Sequence, residues 1–97
     1  MATFILIHGA WHGGWCWERV APLLEAAGHR VLAPDLPGME QAPRALGDDV
    51  LREWAEFVAS LARDAEGPVI LVGHSRGGVV ISEAAERAPD RIARLVY

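Results

Sequence analysis

The stretch Val69-Ile70-Leu71-Val72-Gly73-His74-Ser75-Arg76-Gly77-Gly78 constrains the fold of this chain more than any other. Its first four residues are apolar and mostly β-branched, and read as a buried strand. A glycine-flanked serine follows at once. Val79 to Ala88 then reads as a helix, stopped by Pro89. Strand, G-x-S-x-G and helix together form the context that a nucleophile elbow requires. In such a turn the serine stands above the sheet, on a backbone so tightly bent that it is strained. The residues two before and two after the serine crowd each other, which the small Gly73 and Gly77 accommodate, and Gly78 lets the helix begin near the sheet. The helix N-terminus turns its free N–H groups and partial positive charge toward the serine, where an oxyanion would form.

The 97 residues set an upper limit of one domain, and a hydrophobic content of 52% is enough for a core. A net charge of −4 with no basic cluster argues against nucleic acid or an anionic membrane surface as partner. All nine basic residues are arginine, so no lysine Schiff base can form within this chain. Cys16 is the only cysteine, which excludes an internal disulfide. The first apolar run, Phe4 to Ile7, is too short for a signal peptide or a membrane span, and a cytoplasmic location is the expectation.

From the N-terminus, Thr3 to His8 reads as a short buried strand ended by Gly9. The glycine-rich loop after it, Gly9-Ala10-Trp11-His12-Gly13-Gly14, fits neither G-x-G-x-x-G nor G-x-x-x-x-G-K, so nucleotide-binding readings fail. Trp17, Val20, Ala21 and Leu24 then fall on one helical stripe, with a kink or restart expected at Pro22 and a stop at Gly28. Arg30 to Ala33 is a second strand, followed by the turn Pro34 to Gly38 and a loop from Met39 to Gly47. Asp48 or Asp49 caps a third segment, whose apolar stripe is Val50, Trp54, Phe57, Val58, Leu61 and Ala65. Gly67-Pro68 ends it, and Arg91 to Tyr97 begins a last strand. Strands alternating with helices imply a parallel sheet with right-handed crossovers.

These residues resemble the N-terminal part of an α/β-hydrolase, and within that superfamily the plant-type esterase and hydroxynitrile lyase group with its bacterial relatives. The likeness runs through His8-Gly9-Ala10 with His12-Gly13-Gly14-Trp15, Pro22-Leu23-Leu24-Glu25 with Gly28-His29, Asp35-Leu36-Pro37-Gly38, and Gly73 to Gly78. It implies a partial α/β-hydrolase fold over residues 1–97: a parallel sheet of about four strands with helices on both faces, the first strand lying between the second and the third. It also implies Ser75 as nucleophile, the backbone N–H groups of Ala10 and Arg76 as oxyanion hole, and His8 and Gly9 as shapers of the loop. His74, Gly73, Gly77 and Gly78 would support the turn. The substrate would be a small ester-type molecule, with no cofactor. A serine nucleophile separates the chain from the dehalogenase and epoxide-hydrolase branches, which use aspartate. Hydroxynitrile lyase is the alternative activity. That branch carries threonine where this chain has Gly9.

The chain departs from the family in one respect. The triad runs serine, acid, histidine in chain order, yet His8, His12, His29 and His74 all precede Ser75. Glu83, Glu86 and Asp90 follow it too closely to be the family's acid. A third reading is therefore a non-catalytic truncated or split module, completed by the remainder of the domain or by self-association through an exposed sheet edge.

The other chemistry-bearing residues have structural readings. His12 is expected to brace its loop, with Trp11 and His12 as candidate pocket walls. His74 is expected to leave the strand on the side away from the serine. A metal site from His8, His12 and His74 lacks ligand spacing. Cys16 is a small residue at a helix start, and Trp15, Trp17 and Trp54 are packing residues. Asp35 caps its own turn, and the Arg76 side chain enters an ion pair.

Overall fold

The computed structural model describes residues 1–10, 12–38 and 49–97. The strands are β1 (Thr3–Ile7), β2 (Arg30–Leu32), β3 (Val69–Gly73) and β4 (Ile92–Val96). The helices are α1 (Ala21–Ala26), α2 (Val50–Asp64) and α3 (Arg76–Arg87). The strands form one parallel sheet in the order β2-β1-β3-β4, as the resemblance implied. Right-handed crossovers then put α1 on one face and α2 with α3 on the other, because the chain reverses direction across the sheet after β2.

β1 is central and covered on both faces, so its apolar run is nearly continuous rather than alternating. The main core lies on the α2 and α3 side. Ile5 and Ile7 of β1 and Val69 and Leu71 of β3 meet Trp54, Val58 and Ala62 of α2 and Val80, Ile81 and Ala84 of α3. α2 has the expected stripe. Asp49 is its N-cap, the carboxylate accepting from Arg52 N–H at 3.0 Å. At the other end, Arg91 donates to the carbonyls of Ala62 and Ala65 at the helix terminus and of Gly67 just beyond it. The alternative cap, Asp48, and the 39–47 loop lie outside the described residues.

The first helical stretch restarts at Pro22, as expected, but its first part is a 3-10 turn and the proline forfeits no bond. The stripe from Trp17 to Leu24 is split between a 3-10 turn at Gly14–Trp17 and α1, which restarts at Ala21 with Pro22 in its first turn. A first-turn proline forfeits no hydrogen bond, since those N–H groups have no intrahelical partner. α1 buries none of its residues fully, and Leu23 is exposed. β2 ends at Leu32, one residue earlier than expected. Among the described residues β4 lies at one edge of the sheet, and Val96 and Tyr97 beside it are 44% and 72% exposed.

Candidate functional site

Open parallel sheets bind ligands beyond the carboxyl ends of their strands, where crossover direction reverses. That point here lies between β1 and β3. Two segments emerge there: the loop that opens at His8 after β1, and His74-Ser75 after β3.

Ser75 is exposed and has φ 56° and ψ −119°, the only positive φ at a non-glycine position among the described residues. A side chain at these angles is strained by about 1–3 kcal/mol. The turn is held by Gly77 N–H donating to His74 O and Gly78 N–H donating to Ser75 O, both at 2.9 Å. A Cβ on Gly73 would lie 2.6 Å from Gly77 O, which is the expected crowding across the serine. The close approach to the sheet is made by Gly77 rather than Gly78. A Cβ on Gly77 would stand 2.6 Å from Ile7 O, whereas one on Gly78 would meet the Tyr97 ring at 3.1 Å.

The β1 loop packs directly on this turn. A Cβ on Gly9 would lie 3.2 Å from Ser75 Cβ. The backbone N–H groups of Ala10 and Arg76 have no acceptor among the described residues. Backbone donors of this kind, set near an exposed hydroxyl, are the groups that can hold an anionic oxygen.

His8 is fully buried, its Nε2 accepting from Leu36 N–H at 3.0 Å and its Nδ1 lying 2.9 Å from Gly9 O. His12 is where a loop brace was expected, with Nδ1 2.8 Å from Ala10 O. The His74 ring is exposed, edge-on to His12 at 6.0 Å between centroids, and its Nδ1 would sit 3.0 Å from a Cβ on Gly9. It thus stands against the β1 loop at the mouth of the site. Trp11 lies outside the described residues. Asp35 reaches farther than its own turn: its carboxylate accepts from Gly14 N–H at 2.7 Å and ties the β1 loop to the β2 turn. Trp54 also holds that turn, its buried indole N–H donating to Pro37 O at 2.7 Å. Neither Leu36 nor Pro37 carries a sequence signal for these roles, because the groups involved are backbone. Trp15, read as packing, is largely exposed. Among the described residues no group of three or more His, Cys, Asp or Glu side chains could hold a metal ion. Burial pushes the Cys16 thiol up, away from a reactive thiolate.

Arg76 corrects the expectation of an ion pair. Its guanidinium stacks 4.4 Å from the Trp54 ring centroid, and its Nε and Nη2 are buried without an acceptor among the described residues. Stacking on an aromatic face contributes up to about 2 kcal/mol. Burying a cation with unmet donors costs several kcal/mol. Methionine keeps contact with the indole and removes the charge. Arg76→Met is therefore expected to raise stability by about 1 kcal/mol. Thermal unfolding checks this, and a lower melting temperature contradicts it.

Residues 4–97 match the sequence profile of an alpha/beta hydrolase family. The chain belongs to the α/β-hydrolase family. Among its relatives, a carbendazim hydrolyzing esterase of Nocardioides sp. is 44% identical over 99 residues, which cover 100% of this chain and 41% of that protein. Methylesterase 2 of Arabidopsis thaliana is 41% identical over 100 residues, covering 97% of this chain and 37% of that one. The crystal structure of a pyrethroid hydrolase from Sphingobium faniae superposes with a TM-score of 0.90 at 42% identity, covering 100% of this chain and 39% of that one. The α/β-hydrolase residues here thus span about two fifths of the length of such relatives.

Proposed function

We propose that the protein is a serine hydrolase acting on a small carboxylic ester, with Ser75 as nucleophile. One observation carries the reading. Ser75 occupies a backbone conformation that L-residues avoid, at the N-terminus of α3 and packed against Gly9 of the β1 loop, and the N–H groups of the residues after Ser75 and Gly9 have no partner among the described residues. The names of the relatives, which include an esterase, a methylesterase and a pyrethroid hydrolase, support an ester as substrate class.

In the proposed mechanism Ser75 Oγ bonds to the acyl carbon while a histidine takes its proton. The Ala10 and Arg76 N–H groups hold the tetrahedral oxyanion. Collapse breaks the ester C–O bond, and the alcohol leaves with the histidine's proton. Water, deprotonated by the same histidine, then releases the acid and restores Ser75. The histidine and its acid partner come from chain beyond Tyr97 or from a second polypeptide, since all four histidines precede Ser75. The free edge of β4, with Val96 and Tyr97 exposed, is where such a segment or a second copy would add to the sheet.

Position 9 favours ester hydrolysis over the lyase alternative. A Cβ on Gly9 would stand 3.0 Å from both Nδ1 and O of His74, so a threonine there would require His74 to give by a few tenths of an ångström. The test is mass spectrometry of the protein at its native length after treatment with an activated phosphonate. Stoichiometric labelling of the Ser75 peptide is expected, together with turnover of an activated ester and none of a cyanohydrin. An unlabelled protein is the outcome of the non-catalytic reading.

A further inference from the structure

We infer that His8 is a positioning residue that aims the Ala10 N–H through the carbonyl on the other side of the same peptide bond. The inference rests on the oxyanion role proposed for Ala10. The hydrogen bonds around His8 settle its tautomer. Leu36 N–H can only donate, so Nε2 accepts and carries no proton. The neutral ring then holds its proton on Nδ1 and donates it to Gly9 O at 2.9 Å. Gly9 C=O and Ala10 N–H belong to one planar trans peptide and point in opposite directions. Fixing the oxygen therefore fixes the direction of the N–H. His12 N–H also reaches Gly9 O, at 3.4 Å, a longer and weaker contact.

The second donor is held in the same way. Arg76 N–H shares its peptide with Ser75 C=O, and that oxygen accepts from Gly78 N–H at 2.9 Å. On the serine side the lock is provided by the backbone of α3 itself. The β1 loop has no helix to supply it, and a buried imidazole takes that place. Its far nitrogen is anchored 28 residues away at Leu36, which is fully buried, in the turn that Trp54 and Asp35 also tie down.

Two near-isosteric substitutions separate the bonds. In His8→Asn the side-chain amide places a donor where Nδ1 was and leaves Leu36 N–H unmet. In His8→Gln the amide oxygen replaces Nε2 as acceptor and leaves Gly9 O with only the long contact from His12 N–H. Each variant removes one hydrogen bond to a buried backbone group, so the two are expected to unfold at similar temperatures. With an activated ester, His8→Gln is expected to lose about 10²-fold in kcat with KM within about threefold, because a misaimed donor acts on the transition state. His8→Asn is expected to stay within about tenfold of the parent kcat. Equal losses in the two variants, or a larger loss in His8→Asn, overturn the inference. A measurement on the unsubstituted protein keeps it testable if either variant fails to fold. The imidazole ¹⁵N spectrum of His8 is expected to show protonated Nδ1 and bare Nε2, and the opposite tautomer overturns the relay. That spectrum does not depend on activity. A protein that shows the expected tautomer but resists phosphonate labelling would contradict the proposed hydrolase function and leave the His8 relay standing.

Discussion

Ser75→Gly is expected to abolish phosphonate labelling and ester turnover while making the protein more stable. The loss of activity follows from the proposed role, since glycine has no nucleophile. Removing the nucleophile of a serine hydrolase costs on the order of 10⁴–10⁶ in kcat. The gain in stability comes from the backbone. At φ 56° and ψ −119° the Cβ of Ser75 opposes its own peptide groups, and glycine meets no such opposition. Ser75 Oγ makes no hydrogen bond among the described residues, so little is forfeited with the side chain. The gain is expected to be about 1 kcal/mol, the strain being partly offset by the greater entropy of glycine in the unfolded chain. Ser75→Ala removes the hydroxyl but retains the Cβ, and should be equally inactive without that gain. Thermal unfolding of the two variants separates strain from chemistry. If alanine and glycine stabilise equally, the strain at position 75 is not what the turn stores. Activity surviving in either variant rules out Ser75 as nucleophile.

The segments that could be read in the sequence are those where one physical requirement leaves few residue choices. The β3–turn–α3 unit is of this kind: an apolar run, small residues around a serine, and a helical stripe all point to the same arrangement, and the sheet order followed from the resemblance. α2 was equally readable, because Trp54, Val58 and Leu61 share a face and an aspartate stands at its start. α1 was readable only in part: the restart at Pro22 was signalled by the proline, but helical spacing alone could not show that the residues before it form a 3-10 turn. Contacts across the chain were hidden for a different reason. The sequence names His8 as a loop residue but says nothing of Leu36 N–H, because every residue except proline offers the same donor. The Arg76 side chain was misread because a charged residue is ordinarily matched with an opposite charge, and here the neighbour is the Trp54 ring. Asp35 was read as capping its own turn, and its bond to Gly14 became visible only in three dimensions.

Gly77→Ala is expected to damage the fold far more than the same methyl added one residue later, at Gly78. The added Cβ would lie 2.6 Å from Ile7 O and 2.9 Å from His8 O, backbone atoms at the end of the central strand. Neither oxygen can swing aside as a side chain can. Ile7 O accepts from His74 N–H at 3.1 Å, and β1 is hydrogen-bonded on both edges. α3 would have to lift off the sheet, pulling Val80, Ile81 and Ala84 from the core and carrying Ser75 away from the β1 loop. Overpacking ordinarily costs about 1–3 kcal/mol, and a clash with fixed backbone is expected at or above the top of that range. Gly78→Ala serves as the control one residue later. Its Cβ would meet only the Tyr97 ring at 3.1 Å, an exposed side chain that can rotate away, although it would give up its contact with Ser82 Oγ. Alanine also favours the helix over glycine by about 1 kcal/mol, so the second variant should be near neutral. Denaturant unfolding of both decides the matter. If the two variants lose the same stability, the approach of α3 to β1 does not set the turn, and the position of Ser75 must be held elsewhere. If only Gly77→Ala collapses, the height of the serine above the sheet is fixed by the distance at which two backbones can pass without a side chain between them.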